Sequence, residues 1–325
     1  MALPNERNPE PGTGPPLFSV VIPAYNAAST ITSAVRSALT QTQADLEVIV
    51  VDDGSTDETT AVVASLEDPS VRLLAQRNQG QSAARNNGIG AARGAYIVFL
   101  DSDDLLLPRY VELVARALAE ADRPGFAYTD AYAFDPLTGK IRQRTVTQRM
   151  RPPIPPPRDA PGFLLELLKR NFIYVSTTVP KHVFEEVGGF DAQRTGGAED
   201  YELWLKIVIA GYCPVWVPGQ QALYRSHAGQ VSRDQERTDR GLAGIYAGLR
   251  LEDMPTAAHR ELLVAQRREL ARELAIHAGR ARTGAVLRAG RHALGRVRTW
   301  AGFGERWYDV APPEVAAAFP DLTAV

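Results

Sequence analysis

Three acidic clusters in this sequence carry residue types suited to holding a hard cation and moving a proton. Asp101 and Asp103 stand after the apolar run YIVFL, Asp52 and Asp53 after LEVIVV, and Glu199 and Asp200 open the segment EDYELWLKIVIAG. Carboxylates two apart on an extended segment point the same way. Asp101 and Asp103 can therefore offer oxygen ligands together, as Mg2+ or Mn2+ requires, usually one or two carboxylates alongside substrate phosphates and water. Such a cation is a Lewis acid for a reaction in which a diphosphate leaves and negative charge builds up. Taken alone, D-x-D is equally a solvated turn ahead of the next helix. At the second cluster Gly54 suits a left-handed turn, with Ser55 or Thr56 capping the helix that follows. Two adjacent carboxylates repel unless a donor serves one of them, and the N–H of a pyrimidine ring is such a donor. Asp53 is accordingly the candidate for base recognition.

These clusters need a scaffold that brings strand ends together. The runs LFSVVI, LEVIVV, VRLL, AYIVFL and GFAY alternate with helical patterns between Leu17 and Tyr128, which predicts a mainly parallel α/β sheet. Continuous apolar stretches such as Val48–Val51 and Ile97–Leu100 predict central strands covered on both faces. Ligands of such sheets bind beyond the carboxyl ends of the strands, where Pro23–Asn26 and the first two acidic clusters fall. Ser29 or Thr30 is expected to cap the first helix, Gly94 to end the third, and Pro108 to open the next. Prolines 152, 153, 155, 156, 157 and 161 predict an extended segment across 145–162. Beyond it the pattern predicts a helix over 162–170, a strand over 173–179, a helix opening at Pro180 and another over 198–210 closed by Gly211. Two short strands are expected at 214–217 and 221–225.

The totals exclude several function classes. With 45% hydrophobic residues in 325, the chain can bury a full core without cross-links. The single cysteine, Cys213, has no internal partner and reads as a packing residue in a reducing compartment. Thirty-six basic against 38 acidic residues argue against nucleic acid as a partner. Residues 1–16 are polar and proline-rich and read as a disordered lead. No stretch reaches the roughly 18 apolar residues of a membrane span. Gly88–Gly94 does not make a dinucleotide motif, because Arg93 stands where the third glycine belongs and a strand follows.

The segments FSVVIPAYN, VIVVDDGSTDET, NQGQSAARNNGIGAARGAYIVFLDSDD and GAEDYELWLKI occur in an order and spacing that resembles glycosyltransferase family 2, over about Leu17 to Ser232. The resemblance implies a GT-A fold, Rossmann-like with a mainly parallel sheet and an abutting smaller sheet, and an inverting, metal-dependent mechanism. It implies that Pro23, Ala24, Tyr25 and Asn26 line a nucleotide pocket, that Asp53 holds the base and that Arg85 helps bind the nucleotide. Asp101 and Asp103 match the D-x-D pair, with Asp103 the direct metal ligand. Glu199 and Asp200 match the catalytic acidic pair, with Asp200 as general base. The same two residues also fit a helix start favoured by its dipole, which would lower the pKa of a base unless neighbours such as Trp204 desolvate it. In the late segment Arg225 matches a phosphate partner, and His227 a histidine that completes the metal shell or touches phosphate.

The chain is thus expected to hold a disordered lead (1–16), a GT-A domain (17–235) and a helical, basic amphipathic extension (236–325). The extension carries Arg267, Arg268, Arg272, Arg280, Arg282, Arg288, Arg291, Arg296 and Arg298. A helical hairpin packed on the body with a solvated basic face accounts for that pattern, and so does peripheral contact with the inner face of a membrane. The expected partners are a nucleotide-diphosphate sugar, UDP-linked by default, and a glycan or lipid-linked acceptor of cell-surface polysaccharide synthesis, in the cytoplasm. The rival expectation is a nucleotide-sugar-binding protein of the same fold that has lost turnover.

Overall fold

The computed structural model describes residues 17–43, 45–142, 145, 155–174, 176–194, 197–226, 235–283 and 311–320. The first four apolar runs form parallel strands β1 (Phe18–Ala24), β2 (Leu46–Asp52), β3 (Val71–Ala75) and β4 (Tyr96–Phe99). β1 lies between β2 and β4, and β3 flanks β2. Alternate residues of these strands face two different cores. Val21, Ile49, Val51, Ile97 and Phe99 belong to one, and Val20, Ile22, Val48, Val50 and Val98 to the other. Helices α1 (Ile31–Leu39), α2 (Thr59–Ala64) and α3 (Gln81–Ala91) connect the strands, which gives the right spacing for parallel crossovers.

Past β4 the sheet changes direction. β8 (Thr177–Pro180) pairs antiparallel with both β4 and β6 (Pro124–Asp135), and β6 runs parallel to β9 (Cys213–Arg225). The short β5 (Leu105–Leu106) closes this edge against β9, while β7 (Lys140–Ile141) forms a hairpin with β6. The smaller sheet is therefore continuous with the parallel half through β8. Helix α4 (Tyr110–Glu120) covers one face, and α5 (Ala160–Lys169), α6 (Val183–Val187) and α7 (Glu199–Ile209) the other. This is the GT-A arrangement of a mixed α/β chain.

Several local expectations give way to other contacts. Thr30 occupies the position before α1, but its hydroxyl donates to the Ala27 carbonyl and accepts nothing from the helix. Ser55 and Thr56 do not cap α2, which starts later, at Thr59; they bind Asn26 instead. Gly94 lies beyond the end of α3, where a Cβ would stand 2.6 Å from the Ser19 nitrogen, so it is needed for close packing against β1. Pro108 sits just ahead of α4 rather than in its first turn. The helix expected from 162 starts at Ala160, with Asp159 accepting from the Gly162 N–H at 2.7 Å and Pro161 in its first turn. The helix expected at Pro180 begins at Val183, because β8 runs on through Pro180. The two late strands are one, β9, kept continuous by bulges in its register with β6.

Beyond β9 the chain is helical, with α8 (Gln235–Gly248) and α9 (Ala257–Thr283). Ile245, Tyr246, Met254, Leu263 and Leu270 join the same core as Phe163 and Trp204, so these helices pack on α5 and α7. Arg267 turns its Nε to the Tyr246 carbonyl at 2.8 Å and its Nη2 to the Leu249 carbonyl, satisfying the end of α8. A final helix, α10 (Pro313–Ala318), docks on the small sheet through the buried Val315. No helix among the described residues is long and apolar enough to cross a membrane. The lead (1–16), prolines 152 and 153, His227 and Arg288, Arg291, Arg296 and Arg298 lie outside the described residues.

Candidate active site

The loops at the carboxyl ends of β1, β2 and β4 are joined into one wall by side-chain hydrogen bonds. After β1 the buried Pro23 and Ala24 lead to Tyr25, which is 51% exposed at the rim. Asn26 adopts a left-handed conformation (φ 51°), donates its N–H to Ser55 Oγ at 2.9 Å and accepts from the Thr56 N–H at 2.8 Å. The loop after β2 turns through Gly54 (φ 75°), where a Cβ would also stand 2.9 Å from the Asn78 nitrogen. Asp52 accepts from the Ser55 N–H and the Thr60 hydroxyl, which hold its carboxyl below the usual range although burial pushes the other way.

Asp53 is buried and faces the opposite loop. Its Oδ1 accepts from Gln76 Nε2 and the Gln79 N–H, and its Oδ2 from the Gly80 N–H, each at 2.8 Å. The repulsion expected between Asp52 and Asp53 is thus answered within the chain by separate donor sets. Gln81, next along, donates from Nε2 to Asp101 Oδ1 at 3.0 Å and carries the wall on to the third loop.

Asp101, Asp103 and Asp104 have carboxylate oxygens within 4.8 Å of one another. Burial pushes Asp101 and Asp104 above the usual carboxylate range; at Asp101 the Arg85 guanidinium pulls against this without cancelling it, while at Asp104 the charges of Asp103 and Asp101 add to it and the rise is strong. All three offer hard oxygen donors, the chemistry that Mg2+ and Mn2+ require, and a divalent cation would relieve the repulsion among them. The residues present therefore fit such an ion. Asp104 differs from its neighbours: it accepts from the Tyr174 hydroxyl at 2.5 Å and the Arg225 N–H at 2.8 Å, so it ties the loop to β9. Arg225 also donates from Nε to the Asp103 carbonyl at 2.7 Å and lies over the Phe134 ring.

Arg85 joins this loop to the acidic pair of α7. It is fully buried in α3, donating from one terminal nitrogen to Asp101 Oδ1 at 2.8 Å and from the other to Glu199 Oε1 at 2.9 Å. The guanidinium also lies 5.2 Å from the centroid of Phe190. The two acidic groups, about a hundred residues apart in sequence, thereby share one cation. Ahead of α7, Ala198 takes a left-handed conformation (φ 64°) that costs a non-glycine residue about 1–2 kcal/mol and sets how Glu199 and Asp200 leave the loop.

Asp200 is pushed up to about 7, first by burial and then by the charge of Glu199; Arg85 and the Tyr201 N–H pull the other way and do not win. The helix start was expected to lower this carboxyl, and desolvation outweighs it. Trp204 lies fully buried in the same helix, its ring 4.9 Å from Phe126.

The structure thus brings Tyr25, Asn26, Asp53, Arg85, Asp101, Asp103, Glu199, Asp200 and Arg225 into one connected wall. His227 lies outside the described residues. Sequence reasoning missed the ties: Asp104, visible within DSDD but given no role, and Gln76, Gln81, Tyr174 and Phe190. Only Asp104 carried a signal, as the third carboxylate of a cluster that a D-x-D pair does not need.

Comparison with known proteins agrees with this architecture. The model of glycosyl transferase family 2 matches residues 19–187. The succinoglycan biosynthesis protein ExoO of Rhizobium meliloti is 36% identical over 223 residues, 67% of this chain and 63% of that protein. A chondroitin synthase of Escherichia coli is 48% identical over 100 residues, 30% of this chain and 15% of its own length. The matches thus span less than two thirds of these relatives. In structure, S. aureus TarS 1–349 in complex with UDP-GlcNAc superposes with a TM-score of 0.60 at 18% identity, covering 81% of this chain and 75% of that one. The mannosyltransferase PcManGT of Pyrobaculum calidifontis, in complex with GDP-Man and Mn2+, gives 0.56 at 20% identity, with coverages of 85% and 77%. With the family model spanning more than half of its residues, this chain belongs to glycosyl transferase family 2.

Proposed function

We propose that this protein is an inverting glycosyltransferase that moves a sugar from a nucleotide-diphosphate donor, a UDP-sugar by default, to a hydroxyl of a glycan or lipid-linked acceptor in cell-surface polysaccharide synthesis. The observation that carries the reading is the Asp101–Arg85–Glu199 bridge with Asp200 pushed up to about 7 beside it. A base works best when its pKa is near the working pH, and burial provides that here. Asp200 accepts the proton of the attacking acceptor hydroxyl, and Glu199, held by Arg85, keeps it in place. Pro23, Ala24, Tyr25 and Asn26 line the nucleotide, and Asp53, with three in-chain donors already on its two oxygens, has acceptor capacity left for one N–H of the base. Mn2+ or Mg2+ held by Asp103 and Asp101 would supply Lewis-acid neutralisation of the leaving diphosphate. Arg225 adds cationic charge on that side, and His227 is a further candidate ligand. Arg85, with both terminal nitrogens engaged, acts on the donor through the Asp101 that it holds.

Residues 17–235 form the transferase unit of this reading, with 236–325 as its helical extension. The names of ExoO and chondroitin synthase support a polysaccharide acceptor, and the TarS complex supports a UDP-linked donor. The deciding experiment is calorimetric titration of UDP, GDP, ADP and CMP, with and without Mn2+, into wild type and Asp103→Ala. Binding of one diphosphate that requires Mn2+ and is lost in the variant is expected. Absence of nucleotide binding under every metal condition would overturn the donor assignment.

A further inference from the structure

The last described segment of the chain, residues 311–320, lies far in sequence from the acidic loop yet packs on the strand that leaves it. β5 begins directly after Asp104, and its side chains alternate. Leu106 points into the main core, while Leu105 and Leu107 point to the opposite face, together with Tyr132 and Phe134 of β6, Ile141 of β7 and Leu223 of β9. Six large apolar side chains thus make up the outer face of the small sheet. All are buried, none more than 7% exposed, and the member of this cluster contributed from outside the small sheet and its connections is Val315, which is itself 0% exposed. Pro312 is buried beside it, and Ala311, Ala318 and Phe319 pack around the rim. A polar contact fixes the register, with the Tyr132 hydroxyl donating to Glu314 Oε1 at 2.5 Å.

The covered face holds two parts of the candidate site. Leu105 adjoins Asp104, and Leu107 donates its N–H to the Gln221 carbonyl of β9 at 2.9 Å. Phe134, under the segment, carries the Arg225 guanidinium on its ring, and Arg225 binds both the Asp104 carboxylate and the Asp103 carbonyl. β5 is only two residues long and pairs with β9, and its main-core side is held from α1 and the residue pair just after it, with the Leu106 N–H donating to Ser37 Oγ at 3.1 Å and the Leu107 carbonyl accepting from Gln41 Nε2 at 2.9 Å. On the opposite face, which α1 does not reach, Leu105 and Leu107 are buried in the cluster that Val315 joins.

We infer that residues 311–320 form a clasp whose docking holds the acidic loop in register with Arg225, so that Val315 and Glu314 are positioning residues for the cation and diphosphate side of the site. The inference rests on the proposed function for its consequence, but the docking itself can be tested without activity. Undocking should loosen β5 and the end of β9 first and leave the parallel strands intact, because β1–β4 share no core with this face.

The test is hydrogen exchange on the full-length chain, comparing wild type, Val315→Asp, Val315→Ile and Tyr132→Phe. In Val315→Asp the amides of Asp104, Leu107, Arg225 and Ser226 should exchange at least about tenfold faster, with amides of β1 and β2 unchanged. Val315→Ile should keep wild-type protection, and Tyr132→Phe should give an intermediate gain. Mn2+ titration of the same proteins, followed by electron paramagnetic resonance, should show weaker binding in Val315→Asp only. If residues 311–320 lose protection in Val315→Asp while Asp104, Leu107 and Arg225 keep theirs, the clasp is overturned. Loosened amides with no Mn2+ binding even in wild type would leave the clasp standing and remove the metal from the proposed function. Uniform loss of protection across β1 and β2 would also refute it, since the segment would then be part of the global core.

Discussion

The two halves of the sheet hold their functional residues by different means. In the parallel half, the residues stand at strand ends, and their partners lie in the neighbouring loop: Asn26 meets Ser55 and Thr56, and Asp53 meets the turn at Gln79 and Gly80. In the mixed half, position is set by contacts that cross long stretches of sequence. Arg85 reaches Glu199, Asp104 reaches Tyr174 and Arg225, and Tyr132 reaches Glu314. A strand-end loop can organise itself from local backbone donors. An acidic residue that faces the loop from another part of the fold, as Glu199 does, is held there by a buried cation.

The largest expected effect falls on Asp200, the proposed base. Asp200→Asn keeps the shape of the side chain and loses proton acceptance, so transfer should fall by about 10²–10⁴-fold while nucleotide binding by calorimetry stays near wild type. Wild-type transfer in this variant would end the assignment. The pH profile follows from the raised carboxyl. The proton must leave Asp200 before it can act, so kcat/KM should rise as pH passes through about 7 and level off above it. Stability runs the opposite way. A carboxyl raised by folding favours the folded state most at acid pH and loses that contribution as pH climbs through about 7. Urea melts at pH 5 and pH 8 should therefore show Asp200→Asn gaining stability relative to wild type at the higher pH.

Arg85 tests the long-range half directly. Arg85→Met removes a cation shared by two carboxylates and leaves both facing one another partly buried, which for buried pairs costs about 3–5 kcal/mol. Denaturant unfolding measures that loss. Arg85→Lys keeps the charge but has no planar fork to reach Asp101 and Glu199 together, so transfer should stay impaired while part of the stability returns. Full activity in Arg85→Lys would mean that charge alone, and not the bridge, matters.

Gly94→Ala probes the packing of the parallel half and should cost about 1–3 kcal/mol, because its Cβ would meet the backbone of β1 rather than a side chain that can move. Thermal melts would read it. A loss much below that range would show that the turn after α3 can shift away from β1.

Legibility followed the same division. The four parallel strands and the residues at their ends were readable because apolar runs and polar loops alternate regularly and each loop folds on its neighbour. The candidate ligands of the acidic loop and the 199–200 pair were picked out through the family resemblance, and the structure joins them through Arg85. Asp104 was visible yet given no role, since nothing local says that its carboxylate faces Tyr174, a residue from a segment without any motif. β9 read as two strands because Pro218 and Gly219 interrupt its apolar pattern, whereas the bulged register with β6 carries the pairing through. The capping signals failed where a side chain had a better partner: Ser55 and Thr56 serve Asn26, so their types were right for a cap and their use was not. Desolvation of Asp200 could not be weighed against the helix dipole without knowing what buries it.

The smallest expected effects compare two helix starts, one from each half. Thr30 precedes α1 without bonding to any N–H of the helix, and Asp159 precedes α5 with its carboxylate on the Gly162 N–H. Thr30→Ala removes a weak bond to a carbonyl that already accepts from the N–H groups of Thr30 and Ile31. It should therefore change stability by less than about 0.5 kcal/mol. Asp159→Ala leaves a helix donor without its partner and should cost about 1 kcal/mol. Both are read in matched urea melts. Equal costs would mean that α1 draws on its threonine as much as α5 does on its aspartate. A larger cost at Asp159 would place the local signal in the half whose remaining contacts are long-range: α5 seats Tyr201 and Tyr246 through the carbonyls of Leu167 and Leu168, so a frayed start there loosens the support of α7, which carries the proposed base.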